Sequence, residues 1–204
     1  MASPDQTLAN RTTTKLLDAL RDHGNEPAWA QIDARYRPVI RGLARQLGLR
    51  ENDAEEVAQQ ALSEFVRAYR EGRYDRSKGR LSSWIMGIAH HTTLRMIRAG
   101  RRVNTPGATA MADVADEHTL RSIWTDERDR AILERALNII RDESSVDDRT
   151  LRAFELVALR GVPAAEVAAQ CGMNVDQVYV ARSRVTKRLR SLVETLTAAF
   201  EEDD

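Results

Sequence analysis

The sequence predicts an all-α protein built from two small helical domains that a linker joins. Apolar residues recur at three- and four-residue steps over long stretches, which is the spacing that one buried helix face requires. No run alternates β-branched and polar residues as a half-buried strand would. The chain has 204 residues, and this length suffices for one or two domains with modest cores.

Three long helices are predicted in the first half of the chain. The apolar stripe from Trp29 to Leu47 predicts the first, and the stripe from Val57 to Tyr69 predicts the second. Asn52 or Asp53 can cap the second helix with a side-chain oxygen. A third helix is predicted from about Ser82. A further short helix is predicted from Thr13 to Leu20, without an assigned function.

The stretch between the two halves contains Pro106 and many small residues, and it has no apolar period. Such composition predicts a linker. Periodicity returns in a helix from Glu117 to Arg141, where Trp124 is expected in the core of the second domain. A set of short helices is predicted from Arg149 to Phe200. The predicted division is an N-terminal extension (1–26), a first domain (27–102), a linker (103–116) and a second domain (117–200).

The segment from Pro163 to Val178 has the spacing of a helix-turn-helix. Pro163 suits the first turn of a helix, where no amide partner is needed. Gly172 can adopt the left-handed conformation that ends this helix, and Asn174 or its neighbour can cap the next one. Two helices joined by a tight glycine turn are typical of major-groove DNA binding, although they also occur in proteins that bind no DNA.

The helix that follows carries an apolar stripe from Val178 to Leu196, and the opposite face is polar and cationic. Such a face can enter a major groove, where side chains read base edges while cations hold phosphates. The alternative is an ordinary amphipathic helix with a solvated face. The candidate DNA-contacting residues are Asp176, Gln177, Tyr179, Val180, Ser183, Arg184 and Lys187.

The net charge of zero, from 31 basic and 31 acidic residues, hides two basic segments. Residues 65–102 carry a net charge of +8 and residues 149–193 carry +5, whereas residues 103–148 carry −6. Overall neutrality excludes a globally basic DNA-coating protein. The basic segments remain compatible with DNA binding or with solvated helix faces.

Aromatic and histidine side chains lie among the arginines of the first basic segment, and this mixture suits an unpaired strand whose bases stack. Taken alone, a tryptophan that starts an apolar stripe is more typical of a core, and a histidine pair is more often structural. No third ligand is suitably spaced, so neither metal nor cofactor is predicted. The candidates are Trp84, His90, His91, Arg95, Arg98, Arg101 and Arg102.

Two sets of motifs resemble the bacterial sigma factors of the extracytoplasmic-function (ECF) group, within the sigma-70 family. The first set comprises Arg35-Tyr36-Arg37-Pro38 and the segments 53–62 and 74–89, which resemble sigma region 2. The second is the helix-turn-helix, which resembles region 4. Two short stretches, 153–156 and 178–185, are similar in sequence to sigma factors of planctomycete-type bacteria.

The resemblance implies a subunit without catalytic activity that directs transcription initiation. It implies that Glu56, Gln59 and Gln60 bind the clamp of the largest subunit of RNA polymerase core, with region 4 at the flap. The first basic segment would then bind the melted −10 element, and the helix-turn-helix would read the −35 element. An anti-sigma protein is a further candidate partner.

A different class of function remains open, namely a dimeric helix-turn-helix repressor or activator that binds duplex DNA without polymerase. A helical adaptor or enzyme with solvated basic faces is a third. No stretch approaches about 18 consecutive apolar residues, and the N-terminus lacks the apolar core of a secretory signal. One cysteine excludes an internal disulfide. A cytoplasmic protein without membrane contact is therefore expected.

Overall fold

The computed structural model describes residues 13–20, 22, 24–101, 116–142 and 146–201. Within them the chain forms eight α-helices and no strand, which confirms the all-α prediction. None of these helices is both long and apolar enough to cross a membrane. The helices are α1 (Thr13–Leu20), α2 (Glu26–Gln46), α3 (Glu51–Arg70), α4 (Leu81–Arg101), α5 (Glu117–Asp142), α6 (Asp148–Phe154), α7 (Ala164–Cys171) and α8 (Val175–Glu201).

The chain divides into two compact units, and the division falls inside helix α5. The first unit comprises Met1–Ala131 and Ala198–Asp204, and the second comprises Ile132–Thr197. This boundary differs from the predicted linker at 103–116, which lies outside the described residues apart from Asp116. The predicted domain ranges stay a prediction.

The first unit has one apolar core, to which α1, α2, α3 and α4 all contribute. Tyr36, Phe65 and Leu81 are fully buried in it. Leu16 and Leu20 of α1 are fully buried in the same core. The hydroxyl of Tyr69 on α3 donates to the carbonyl of Leu17 at 2.7 Å. The predicted N-terminal helix is therefore present, and its role is to complete this core.

Trp124 also belongs to the core of the first unit, so its predicted place in the second domain was wrong. Its side chain is 6% exposed, and its ring centroid lies 6.4 Å from that of Tyr36 in a stacked arrangement. The Phe200 ring meets Tyr36 edge-on at 5.6 Å. The apolar period had identified the buried face of α5 but carried no information about the surface that it covers.

Two buried charged side chains form hydrogen bonds that connect α2 to α5 and to the end of α8. Arg35 donates to the carbonyl of Ala199 at 2.9 Å, and its guanidinium lies 5.3 Å from the centre of the Phe200 ring. Glu127 accepts hydrogen bonds from Gln46 and Arg130, each at 3.0 Å. Its carboxylate fills the space where a side chain at position 42 would begin, because a Cβ there would overlap it. Gly42 therefore permits the close approach of α5.

Helix α3 begins two or three residues earlier than its predicted caps suggest. Arg50 is the N-cap residue and makes no side-chain cap hydrogen bond, so Asn52 and Asp53 lie within the first turn. Glu51 and Asp53 place negative charge in this turn, where the helix dipole favours it. The predicted capping residue was therefore wrong, because acidic residues near the dipole stabilise this start without a cap.

The second unit packs α6, α7 and the beginning of α8 around small apolar residues. Ala153, Val167 and Val178 are fully buried, and Cys171 is a buried free thiol in the same cluster. Of the set of short helices predicted from Arg149 to Phe200, α6 and α7 are short, whereas α8 has 27 residues. Helix α8 contains the whole apolar stripe that was predicted for one helix from Val178 to Leu196.

Candidate nucleic-acid interface

The turn between α7 and α8 is built by backbone and side-chain hydrogen bonds that the sequence predicted in part. Pro163 is the N-cap of α7, immediately before its first helical residue. Gly172 ends the helix in the left-handed conformation, with φ of 61° and ψ of 40°. The amide of Gln177 donates to Asn174 Oδ1 at 2.8 Å, and the amide of Asn174 donates to Gln177 Oε1 at 2.9 Å. This reciprocal capping box fixes the start of α8.

Asn174→Ala is expected to destabilise the second unit by about 1 kcal/mol, because it leaves a helical amide without its acceptor. Thermal unfolding followed by circular dichroism measures the change. Asn52→Ala is the matched control, since Asn52 is exposed in the first turn of α3 but is not its N-cap residue. Equal effects of the two substitutions would contradict the capping role.

The predicted DNA-facing residues of α8 all lie on its exposed side. Val178, Ala181 and Val185 are buried on the opposite side. Arg184 and Lys187 follow the apolar Tyr179 and Val180 along the exposed face. The structure therefore brings together in one surface the exposed residues Asp176, Gln177, Tyr179, Val180, Ser183, Arg184 and Lys187.

Trp84 lies in an aromatic cluster that joins α3, α4 and the loop between them. Its ring stacks on Tyr74 at a centroid distance of 5.2 Å and meets Phe65 edge-on at 5.6 Å. The Trp84 side chain is half-buried.

Asp75, in the loop between α3 and α4, accepts hydrogen bonds from the hydroxyl and the amide of Ser77. These bonds hold the pKa of the Asp75 carboxyl below its ordinary value.

An exposed face of α4 carries three of the residues predicted to bind an unpaired strand. His91, Arg95 and Arg98 are exposed and follow each other at steps of four and three, so they share one side of the helix. His90 is half-buried, and its ring centroid lies 5.9 Å from that of His91. Arg102 and the side chain of Arg101 lie outside the described residues.

Arg95 is held by two acceptors within the first unit. Its Nη2 lies 2.7 Å from Glu64 Oε2 and 3.0 Å from Thr92 Oγ1. The side chain of Arg95 is nevertheless 61% exposed, whereas that of Glu64 is 35% exposed. Sequence reasoning missed Glu64, because 31 positions separate it from Arg95 and only the packing of α3 on α4 brings them together.

The predicted polymerase-binding residues lie together on the exposed side of α3. Glu56, Gln59 and Gln60 are all exposed, and Gln60 Nε2 donates to Glu56 Oε1 at 3.0 Å. They line one side of a shallow groove of about 580 Å³ that continues to Glu64 and Arg67. Glu64 is thus shared between this groove and the ion pair with Arg95.

A larger groove of about 840 Å³ runs beside this patch between α2 and α3. Trp29, Leu62 and Val66 form much of its apolar wall, and Gln59 is common to both grooves. From the sequence, Trp29 was predicted only as the first apolar residue of a helix. Its place in the apolar stripe indicated that it packs against a neighbouring helix, but periodicity could not identify that helix as α3.

Within the described ranges, no group of three or more histidine, cysteine, aspartate or glutamate side chains is arranged to hold a metal ion. The surfaces described above present cations, aromatic rings and exposed polar side chains. Such surfaces can bind phosphate and stack or contact bases.

Comparison with known proteins finds related sequences over most of the chain. Residues 32–103 match the family described as Sigma-70 region 2. The ECF RNA polymerase sigma factor RpoE of Cereibacter sphaeroides is 25% identical over 177 residues, which are 80% of this chain and 91% of that protein. The ECF RNA polymerase sigma factor SigE of Mycolicibacterium smegmatis is 25% identical over 187 residues, which are 91% of this chain and 68% of that protein.

These similarities support the resemblance to the ECF group of the sigma-70 family. The matched segment 32–103 contains the α3 patch, the aromatic cluster and the exposed face of α4. The narrower similarity to planctomycete-type factors stays a prediction.

Proposed function

We propose that the chain is an ECF sigma factor that binds RNA polymerase core and directs it to promoters with −10 and −35 elements. One observation carries the proposal: a segment that matches Sigma-70 region 2 and a helix-turn-helix with an exposed cationic face occur in one chain. A protein of this kind performs no catalysis, since the polymerase core supplies phosphoryl transfer. Its place of action would be the cytoplasm.

The exposed face of α4 is proposed to bind the non-template strand of the melted −10 element. His91 can stack on a base or donate a hydrogen bond to it, while Arg95 and Arg98 attract the phosphates. The half-buried His90 and Trp84 would line the inner edge of the same site. Flipping a base costs a few kcal/mol, which stacking and phosphate contacts offset. Arg101 and Arg102 would extend this basic surface.

The exposed side of α3 is proposed to dock on the clamp of the largest polymerase subunit. Glu56 supplies a negative charge there, while Gln59 and Gln60 supply amide donors and acceptors. Helices α3 and α4 pack against each other, as the Glu64–Arg95 ion pair shows. Core binding would therefore hold α4 beside the strand that the polymerase separates.

The exposed face of α8 is proposed to read the −35 element in the major groove, with the flap of the polymerase near region 4. The capping box and the left-handed glycine set the orientation of this helix relative to α7. Residues at the beginning of such a helix contact base edges, and the cations that follow hold phosphates.

Reconstituted transcription tests the proposed function. Purified polymerase core is assayed on genomic fragments with and without this protein, and new discrete transcripts are expected only when it is present. Identical transcripts in both reactions would refute the proposal. Binding to a specific duplex in the absence of core, without new transcripts, would instead support a dimeric repressor or activator. If an anti-sigma protein binds this chain, its addition to the same reaction should remove the new transcripts.

Arg184→Ala is expected to weaken initiation from an intact duplex promoter more than initiation from a template that is already melted. The loss of one phosphate contact should also lower the salt slope of duplex binding by about one unit. Arg121→Ala is the control, because Arg121 is an exposed arginine of α5 that pairs with Glu117. Equal losses on both templates would argue against the placement of Arg184 in the groove.

A further inference from the structure

The beginning of α8 exposes apolar side chains to solvent. Val180 is 65% exposed and Tyr179 is 53% exposed, and Val175 is 38% exposed one turn before Tyr179. Residues four apart on a helix are neighbours on its surface, so Val175 and Tyr179 adjoin each other, and Val180 lies about 100° further round the exposed side. A cluster of exposed apolar side chains, unlike a single one, marks a surface that contacts another molecule.

Val180 occupies the centre of the face that points away from the core of the second unit. Val178 and Ala181, two positions before it and one position after it, are buried, whereas Val180 is 65% exposed, so Val180 is turned away from the packed side of the helix. Asp176 lies one turn before it, and Arg184 lies one turn after it on the exposed side. With the cations placed further along the helix, Val180 would meet base edges rather than phosphates.

The major groove presents one apolar group on its base edges, the C5 methyl group of thymine. The Val180 side chain has two methyl groups and can neither donate nor accept a hydrogen bond. An arginine or glutamine at this position would select guanine or adenine by bidentate hydrogen bonds, whereas a valine can gain only from apolar contact. The Tyr179 ring adds a second apolar surface beside it.

We propose that Val180, supported by Tyr179, selects thymine in the −35 element by contact with its C5 methyl group. The inference rests on the proposed function, since it assigns a base preference to the same helix face. The ligand is thus a thymine–adenine base pair in duplex DNA opposite the first two turns of α8. Cytosine at that position would bind more weakly, because it lacks the methyl group.

Substitution of thymine by deoxyuridine tests the proposal, because it removes the methyl group and keeps every base-pairing atom. The polymerase holoenzyme containing the full chain is bound to a promoter duplex that it transcribes, with each −35 thymine replaced singly. We expect one or two positions at which deoxyuridine weakens binding about three- to fivefold, as the loss of one buried methyl group does.

Variants then link that loss to the side chain. In Val180→Ala the deoxyuridine effect at the sensitive position should disappear, and Val180→Ile should retain it. Because Val180 is exposed and alanine favours helices, Val180→Ala should fold normally. Lys187→Ala is the matched control: it should weaken binding of thymine and deoxyuridine duplexes equally, since a phosphate contact carries no base information.

The outcomes separate this inference from the proposed function. Holoenzyme that depends on the −35 element but tolerates deoxyuridine at every position would overturn the thymine contact and leave the sigma function standing. Absence of any −35-dependent binding would instead count against the proposed function. If Val180→Ala weakens binding to polymerase core without DNA, the apolar cluster is a protein-docking surface and the inference is wrong.

Discussion

Trp124→Ala is expected to lower the free energy of unfolding by about 3–5 kcal/mol, as removal of a large buried aromatic side chain does. Trp124 is almost fully buried and stacks on Tyr36, itself fully buried in the core of the first unit. The cavity would lie where α5 meets α2, so the remaining contacts could not close it without moving a helix. Urea unfolding followed by circular dichroism measures the loss.

A control on the same helix separates the burial of Trp124 from a general effect on α5. Leu133 is 45% exposed, so Leu133→Ala should change the free energy of unfolding by no more than about 0.5 kcal/mol. Similar losses from the two substitutions would contradict the packing of Trp124.

A double-mutant cycle identifies the surface against which Trp124 packs. Substitutions at Tyr36 and Trp124 should be non-additive by about 0.5–3 kcal/mol, because the two rings are in contact. Substitutions at Trp124 and Phe154, a buried residue of the second unit, should be additive. Coupling to Phe154 but not to Tyr36 would restore the placement of Trp124 that the sequence suggested.

The helices were predictable because their signal is local. A buried stripe at steps of three and four located α2, α3 and α4 to within a few residues, and Gly172 with Asn174 located the turn between α7 and α8. The surface against which an apolar stripe packs is not determined by the local sequence. Trp124 shows this limit, since its periodicity indicated a buried face equally well for either unit.

The features of the candidate site also differ in whether they depend on local sequence or on packing between helices. The exposed side of α8 could be predicted, because a single apolar stripe determines which residues face outward. The aromatic cluster around Trp84 and the ion pair between Glu64 and Arg95 could not, because both depend on how α3 and α4 pack. The two histidines also differ in exposure: His91 is exposed while His90 is half-buried, because adjacent positions on a helix point about 100° apart.

Joint replacement of Arg95 and Arg98 by alanine is expected to abolish most −10-dependent open-complex formation by the holoenzyme. Both arginines lie on the exposed face of α4, and each phosphate contact to a single strand contributes about 0.7 to the salt slope. The slope for single-stranded −10 DNA should therefore fall by about 1.4. Replacing Arg45, an exposed arginine of α2 that pairs with Glu51, should leave the slope unchanged.

Glu64→Gln should act in the opposite direction, because the Glu64 carboxylate occupies the Arg95 guanidinium that a phosphate would bind. The glutamine keeps the shape of the side chain and removes its charge. Binding of single-stranded −10 DNA should therefore strengthen, and the gain should vanish when Arg95 is also replaced by alanine.

A loss of binding in Glu64→Gln would mean that the carboxylate positions Arg95 for DNA instead of competing with it. Since Glu64 also borders the proposed polymerase-binding patch, a smaller gain in the holoenzyme than in the free protein would indicate that core binding already releases Arg95.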